Sequence, residues 1–198
     1  MRDGGIGRIL VAALHQGIAD QMPSRLEFYE NWFTTAGLRQ GTIGLAAVVA
    51  VLSFLRREGT PYDLVSRRAG EYAAQWTVES LSPMRRRVIT ALPRRLRTRA
   101  ALRVGRDLVR ATHAESRARV RVRRGIADVD IRNSIFCGVR EPSPQPLCEF
   151  YSAAIARVLV LFDVAAPTRV TACRSGGERS CHIAVGLRRE LPAAGQTP

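Results

Sequence analysis

The four cysteines of this chain are the side chains whose type and spacing are best suited to chemistry. They follow one another as Cys137, Cys148, Cys173 and Cys181 in a chain of 198 residues. A turn centred on Gly177 places residues whose numbers sum to 354 opposite each other, so Cys173 faces Cys181. Because Cys148 stands where an apolar helix is expected to begin, three or four sulfur atoms are expected to meet at one place.

A group of thiols of this kind has three interpretations. Thiolates can bind a zinc ion tetrahedrally, a disulfide can join Cys173 to Cys181 or one thiol can be reactive, and reduced cysteines can fill a core as small apolar side chains. The spacing of the four residues is not that of a common zinc finger. The residues alone therefore leave the three interpretations open.

The cellular compartment bears on this choice. The N-terminal stretch lacks the pattern of a secretory signal peptide, and the longest apolar run, residues 43–55, is too short to cross a bilayer. We therefore expect a cytoplasmic protein without a membrane span, and structural disulfides are uncommon in the cytoplasm. This expectation favours a metal site, catalysis or plain packing for the cysteines.

Motifs for cofactor-dependent catalysis are not found in the sequence. No G-x-G-x-x-G follows an expected strand, and there is no P-loop. The Gly-Gly pairs at 4–5 and 176–177 lie at the terminus and in a turn. Reduction by hydride transfer needs a cofactor to supply the hydride, and the residues alone show no cradle for one.

A net charge of +14 would ordinarily suggest a nucleic-acid partner. All 31 basic residues are arginines and none is lysine, which a drift in composition explains more simply than selection for phosphate contacts. Residues 85–124 hold fifteen arginines against only Asp107 and Glu115. We therefore do not favour a nucleic-acid partner. Binding of nucleic acid or another acidic surface by residues 85–110 is kept as an alternative.

Part of this arginine-rich region is expected to form a β-hairpin. The segments RARVRVR and IADVDIR alternate charged and apolar side chains on either side of an Arg-Gly turn. A two-residue turn pairs positions whose numbers sum to 249, which sets Arg121 opposite Asp128 and Arg119 opposite Asp130. We expect these pairs to neutralise much of the arginine charge.

Hydrophobic periodicity and capping residues predict the helices. The clearest start signal is Thr60 as N-cap, followed by Pro61 and by Asp63 in the first turn. The expected helices are 5–21, 24–36, 42–57, one from Thr60, one from Pro83, one from Pro93 to Val109 and one over 146–162, with closing strands at 168–174 and 180–187.

Four motifs stand in a recognisable order and spacing along the later part of the chain: AGEYAAQW (69–76), ALPRRLRTRAALRV (91–104), CEFYSAAIARVL (148–159), and C-x3-G-x3-C followed by an apolar strand (173–185). With these motifs the chain resembles the vinyl-4-reductase domain, and more closely the bacteriochlorophyll 4-vinyl reductase family, over about residues 60–188. The resemblance implies an α+β fold, in which an antiparallel sheet packs on a helical layer and encloses an apolar pocket.

This resemblance sets the expected organisation and function. Residues 1–59 would be an additional N-terminal helical segment, 60–188 the ligand-binding domain and 189–198 a disordered tail. The expected function is binding of a hydrophobic small molecule, such as a bacteriochlorophyll or other tetrapyrrole precursor. The alternative is a 4-vinyl reductase that uses an external electron donor. A homodimer is a further option for the assembly.

The resemblance also bears on the cysteines. Related sensor domains of aromatic-responsive bacterial regulators bind zinc through Cys, Glu, Cys and Cys, and Cys148, Cys173 and Cys181 match the three cysteines. The position of the expected glutamate is Val170, which cannot bind a metal. Cys137 can replace the glutamate and complete a structural zinc site made of four cysteines.

Aromatic residues are the candidates for lining the apolar pocket. His113, which is expected to end a helix, has two interpretations: an axial ligand to a tetrapyrrole metal, or a residue favoured at a helix C-terminus by the helix dipole. We favour the second interpretation. The candidate ligand-binding residues are Tyr72, Trp76, His113, Phe136, Phe150 and Tyr151.

Overall fold

The computed structural model describes residues 5–138 and 143–187. It has the expected α+β architecture. The helices are α1 (Arg8–Gln21), α2 (Leu26–Glu30), α3 (Thr35–Gln40), α4 (Leu45–Arg57), α5 (Thr60–Glu79), α6 (Pro83–Ala91), α7 (Arg94–Thr112) and α8 (Glu149–Leu161). The strands are β1 (Arg117–Arg123), β2 (Ile126–Arg132), β3 (Thr168–Ala172) and β4 (Cys181–Gly186).

Helix α5 is the centre of the helical layers, because α1 and α8 both pack against it. Two glycines permit this close packing. A Cβ atom on Gly17 of α1 would lie 2.9 Å from the carbonyl oxygen of Val65, and one on Gly70 of α5 would lie 2.2 Å from that of Phe150. Both distances are below the contact limit of real side chains, so the backbones of α1, α5 and α8 approach each other only where glycine is present.

The four strands form one antiparallel sheet in the order β1-β2-β4-β3. Its inner face packs on α7 and α8. The predicted register of the first hairpin is confirmed, since Arg121 pairs with Asp128 and Val120 with Val129. The turn residue Arg124 has a φ of 49° and Gly125 one of 81°, which is the conformation that a two-residue hairpin turn needs.

The predicted register of the second hairpin is right only beside its turn. Ala172 pairs with His182, as the sum of 354 requires, but Thr168 pairs with Val185, which is one position out. An irregularity between Val170 and Ala172 inserts one residue into β3 and shifts the pairing. The strands are also shorter than the predicted 168–174 and 180–187.

The expectation that cross-strand pairs neutralise the arginines of the first hairpin is wrong in detail. Although Arg121 stands opposite Asp128 in the ladder, the Asp128 carboxylate lies 3.0 Å from Nδ1 of His182 on β4. The carboxylate of Asp130 lies 3.7 Å from Nε of Arg132 on its own strand. The Asp128 carboxylate therefore pairs with β4 and the Asp130 carboxylate with its own strand, and neither forms an ion pair with β1 among the described residues.

Several predicted helix boundaries are also corrected. The predicted helix 24–36 is interrupted, since the Thr34 hydroxyl accepts a hydrogen bond from the N–H of Gly37 and caps a separate helix, α3. The cap of α5 is Gly59, with a φ of 74°, rather than Thr60. Helix α8 begins at Glu149 instead of residue 146, and the residues before it form bends, with the N–H of Ser143 bound to the carbonyl of Ser175.

The N-terminal segment belongs to the same packed core as the rest of the described chain. Leu10, Leu14 and Ile18 of α1 are completely buried in the cluster that also contains residues of the sheet. Ile6 pairs with His113 in an isolated antiparallel bridge, which ties the start of the chain to the end of α7. The division at residue 59 stays a prediction.

Two further expectations concern the ends and the surroundings of the chain. The predicted disordered tail, 189–198, lies outside the described residues. Among the residues that the structure describes, no helix is both long and apolar enough to cross a membrane.

Candidate metal centre

The four cysteines converge on one point inside the protein. Their sulfur atoms all lie within 4.8 Å of one another, and all four residues are buried and free of disulfide bonds. The individual separations are 3.1 Å (Cys137–Cys148), 3.2 Å (Cys148–Cys181), 3.3 Å (Cys137–Cys173), 3.4 Å (Cys137–Cys181), 3.7 Å (Cys148–Cys173) and 3.9 Å (Cys173–Cys181).

These separations suit one tetrahedral ion. A Zn–S distance of about 2.3 Å places tetrahedral sulfur ligands about 3.8 Å apart, and the observed range is 3.1 to 3.9 Å. All six pairs of sulfur atoms are close, so each thiolate can bind an ion at the centre. A set of four sulfur ligands selects zinc or iron over the hard cations, which prefer oxygen.

Four different local structures deliver the cysteines. Cys137 ends the short 3-10 turn Ile135–Cys137 that follows β2, and Cys148 is the N-cap residue of α8. Cys173 follows β3 and Cys181 opens β4. The site therefore joins the end of the first hairpin, the start of α8 and both strands of the second hairpin.

The sulfur atoms share their protons unequally. The hydrogen bond from Cys148 lowers the pKa of Cys137, and the hydrogen bond from Cys137 lowers that of Cys173 strongly. Cys148 and Cys181 have raised pKa values, chiefly through their hydrogen bonds to Cys137. All four thiols must be deprotonated to bind a metal, and the lowered pKa values of Cys137 and Cys173 favour this for two of them.

Neighbouring groups donate hydrogen bonds to the sulfur atoms. The hydroxyl of Ser175 lies 3.0 Å from Sγ of Cys173, and the backbone N–H of Arg174 lies 3.4 Å from Sγ of Cys181. Such donors stabilise thiolates and orient metal ligands. The hydroxyl of Ser134 lies 3.5 Å from Sγ of Cys148. Neither Ser134 nor Ser175 was predicted from the sequence, although the position of Ser175 two residues after Cys173 was a signal.

Two polar side chains from the helical layers brace the segments that carry the cysteines. The buried hydroxyl of Tyr62 on α5 donates to the carbonyl of Leu147 at 2.8 Å. The guanidinium of Arg56 on α4 donates to the carbonyl of Phe136 at 2.9 Å. Burial raises the pKa of Tyr62, so its hydroxyl remains a donor. These contacts span 80 and 85 residues of sequence and had no sequence signal.

Val170, which stands where the related sensor domains have glutamate, lies in β3 opposite Ile183. It is not part of the sulfur group. Cys137 supplies the fourth sulfur instead, as the sequence had suggested.

Three of the predicted ligand-binding residues form a buried aromatic group next to this centre. Phe136 stacks on Phe150 at 4.8 Å between ring centroids, and Tyr151 meets both rings edge-on. The Tyr151 hydroxyl lies 3.1 Å from Oγ1 of Thr112, which itself donates to the carbonyl of Val109. The three rings fill the space between α7, α8 and the turn before Cys137.

The other predicted ligand-binding residues lie elsewhere. Tyr72 and Trp76 stack on each other at 5.4 Å, and the Tyr72 hydroxyl donates to Asp20 of α1. They therefore occupy the face of α5 that meets α1, while Gly70 lies on the face that meets Phe150 of α8. The structure does not bring them to the buried aromatic group.

His113 is the C-cap residue of α7 and is largely buried. Its Nδ1 atom has no hydrogen-bond partner among the described residues. The placement at the helix end agrees with the interpretation that we favoured. Its contact with a ligand stays a prediction.

Comparison with known proteins adds one finding on the fold. No model of a known protein family matches the chain, and no curated protein matches it. Among solved structures, the chain is similar to the phenol-responsive sensory domain of the transcription activator PoxR, crystallised with phenol. The TM-score is 0.53 at 14% sequence identity, and the match covers 72% of this chain and 74% of that one. The two chains share an α+β fold.

Proposed function

We propose that this chain is a small-molecule-binding domain of the vinyl-4-reductase type that is held together by a structural zinc ion. The observation that carries the proposal is the convergence of four buried cysteine sulfur atoms within 4.8 Å. Cys137, Cys148, Cys173 and Cys181 would be the four ligands. Four protein ligands at a buried position leave no place for a reacting water, which is the character of a structural site.

The proposed ligand is a hydrophobic small molecule held between the inner face of the sheet and helices α7 and α8. This layer is apolar, since Val129, Ile183 and Val158 are at most 1% exposed. Its proximity to the metal centre means that zinc would fix the start of α8 and hence one wall of the site. The fold shared with a sensory domain crystallised with phenol supports this assignment.

A bacteriochlorophyll or other tetrapyrrole precursor is the proposed identity of the ligand, and it rests on the sequence motifs of the 4-vinyl reductase family. The buried aromatic group of Phe136, Phe150 and Tyr151 offers the stacking surfaces that a macrocycle would need. These rings now pack on one another, so binding a macrocycle requires that they move apart.

Metal analysis tests the zinc proposal. Protein purified without added metal is expected to hold one zinc ion per chain, and Cys148→Ser or Cys173→Ser is expected to lose most of it. Loss of zinc should lower the unfolding temperature by roughly 10 °C. This corresponds to about 2.5–5 kcal/mol of stability, at about 2–4 °C for each kcal/mol in a domain of this size. Ala154→Ser is the control, because it changes a buried position of α8 that is not one of the four cysteines.

Zinc content unchanged in both cysteine variants would refute the metal proposal. Native mass spectrometry of protein from cells that make bacteriochlorophyll tests the ligand. An organic mass that is released on denaturation, with the ultraviolet–visible spectrum of a tetrapyrrole, is expected. Protein that carries only zinc, and that binds neither phenol nor a tetrapyrrole precursor in solution, would refute the ligand proposal.

A further inference from the structure

A cleft of about 430 Å³ lies between the beginning of α7 and the tip of the β1–β2 hairpin. Three arginines of α7, Arg94, Arg95 and Arg99, form one side of it. Val122 and Leu187 provide an apolar side. The cleft therefore joins positive charge and apolar surface within the volume of a small ligand.

The three cleft arginines have no ionic partner in the described part of the chain. No carboxylate there lies within 4.0 Å of the guanidinium group of Arg94, Arg95 or Arg99. Arg97 of the same helix differs, because it lies 4.0 Å from the carboxylate of Asp163 and is only 21% exposed. Three neighbouring positive charges repel one another, and an anion between them would relieve that repulsion.

The apolar side of the cleft is open to water. Val122 is 41% exposed although it lies in a strand of otherwise alternating pattern. Leu187 is fixed beside the hairpin tip by the hydrogen bond from its N–H to the carbonyl of Gly125 at 2.9 Å. Covering these two side chains would remove apolar surface from water, which favours a ligand that has an apolar body.

We propose that this cleft binds a small organic anion, whose carboxylate or phosphate group is carried on an apolar body. Arg95 and Arg99 are four residues apart and lie on one face of α7, so both can bind the same anionic group. Val122 and Leu187 would contact the apolar body. The inference goes beyond the proposed function, because the cleft shares no residue with the metal centre or the buried aromatic group.

Isothermal titration calorimetry of the full-length, metal-loaded protein tests the proposal with four probes. These are 2-naphthoate, 2-naphthyl phosphate, the uncharged methyl 2-naphthoate, and inorganic phosphate. At least one of the two naphthyl anions is expected to bind at least tenfold more tightly than the ester and than inorganic phosphate. The tighter of the two anions identifies whether the cleft prefers a carboxylate or a phosphate.

Arginine variants locate the binding. Arg95→Gln and Arg99→Gln are each expected to weaken the naphthyl anion about tenfold, because each removes a charged hydrogen-bond donor. Arg103→Gln is the matched control: it removes an exposed arginine from the same helix, outside the cleft lining, and should leave the affinity within twofold. All three positions are exposed, and circular dichroism should show unchanged folding.

Three results would overturn the proposal. One is no binding of either naphthyl anion at millimolar concentration, and another is equal binding of the ester. The third is equal weakening in Arg103→Gln and the two cleft variants, with duplex DNA bound more tightly than the probes. That result would assign the arginines to general attraction of polyanions. Zinc content is expected to remain unchanged in every variant, so failure here is separable from failure of the metal proposal.

Discussion

The α-carbon of Gly70 packs directly on the carbonyl oxygen of Phe150, so closely that a Cβ atom would lie 2.2 Å from that oxygen. The two atoms that would clash are the new Cβ atom and a backbone oxygen, and neither can move away by rotation of a side chain. Gly70→Ala is therefore expected to push α5 from α8 and to destabilise the protein by about 3 kcal/mol. Urea denaturation followed by circular dichroism measures this.

Gly105→Ala is the matched control for that change. It is also a glycine in the interior of a helix that faces α8, but its Cβ would meet Ile155 at an ordinary 3.5 Å. Since alanine favours helix by up to about 1 kcal/mol over glycine, this variant should be as stable as the wild type or more stable. Similar destabilisation by both variants would contradict the close approach at Gly70.

Acid should remove the contribution of the α1–α5 ion pair. The hydrogen bond from Arg68 lowers the pKa of Asp20 from 3.8, and the hydrogen bond from Tyr72 lowers it further. A lowered pKa in the folded state stabilises the protein above the unfolded value and ceases to do so as the pH falls through the folded value. The pair is solvent-exposed, so the contribution at pH 7 is expected to be about 1 kcal/mol or less.

Asp20→Asn should therefore be less stable than the wild type at neutral pH, and the difference should vanish at an acidic pH below the folded pKa of Asp20. Urea titrations at the two pH values give this comparison, and Glu27→Gln, an exposed change in α2, is the control. A difference that persists undiminished in acid would show that the variant acts through packing and not through charge.

Removing a hydrogen-bond donor to one sulfur atom should weaken the proposed zinc binding without abolishing it. The hydroxyl of Ser175 lies 3.0 Å from Sγ of Cys173. Loss of such an outer hydrogen bond typically costs about 10- to 100-fold in metal affinity, so Ser175→Ala should bind one zinc ion but release it to a chelator at lower chelator concentration. Competition with a chromophoric chelator measures the change.

Ser53→Ala, an exposed substitution on α4, serves as the reference in that competition. Identical zinc affinity in Ser175→Ala and Ser53→Ala would mean that the Ser175 hydroxyl does not stabilise a thiolate.

The first hairpin allows a test of which charges interact. Asp128 contacts His182, although Arg121 stands opposite it in the ladder. A double-mutant cycle with Asp128→Asn and Arg121→Gln is therefore expected to give a coupling energy below about 0.3 kcal/mol. A coupling near 1 kcal/mol would show that the cross-strand pair forms in solution.

Regular features of the fold could be predicted because they depend on neighbours in sequence. The register of the first hairpin follows from alternation and from the turn at Arg124 and Gly125, and both are local. The facing of Cys173 and Cys181 follows from the second turn in the same way. One inserted residue was enough to displace the rest of that hairpin by one position, since side-chain spacing alone does not reveal a bulge.

The features that could not be predicted from the sequence depend on contacts between residues far apart in the chain. The loop before α8 is tied by the bond between Ser143 and Ser175, and the carbonyl of Leu147 is bound by Tyr62. The aromatic candidates lie in two separate places for a similar reason. Tyr72 donates to Asp20 of α1, and the pattern predicted that helix but not its position beside α5. Periodicity shows which face of a helix is apolar, but not which neighbour covers it.

The position of β4 has a consequence for how the chain completes its fold. Although β4 follows the other strands in sequence, it lies between β2 and β3 in the sheet. Until β4 is synthesised and inserted, one edge of β2 stays open to pairing with other chains, and Cys181 is missing from the sulfur group. A nascent chain that stops before Cys181 is therefore exposed to aggregation, and closure of the sheet coincides with completion of the group of four sulfur atoms.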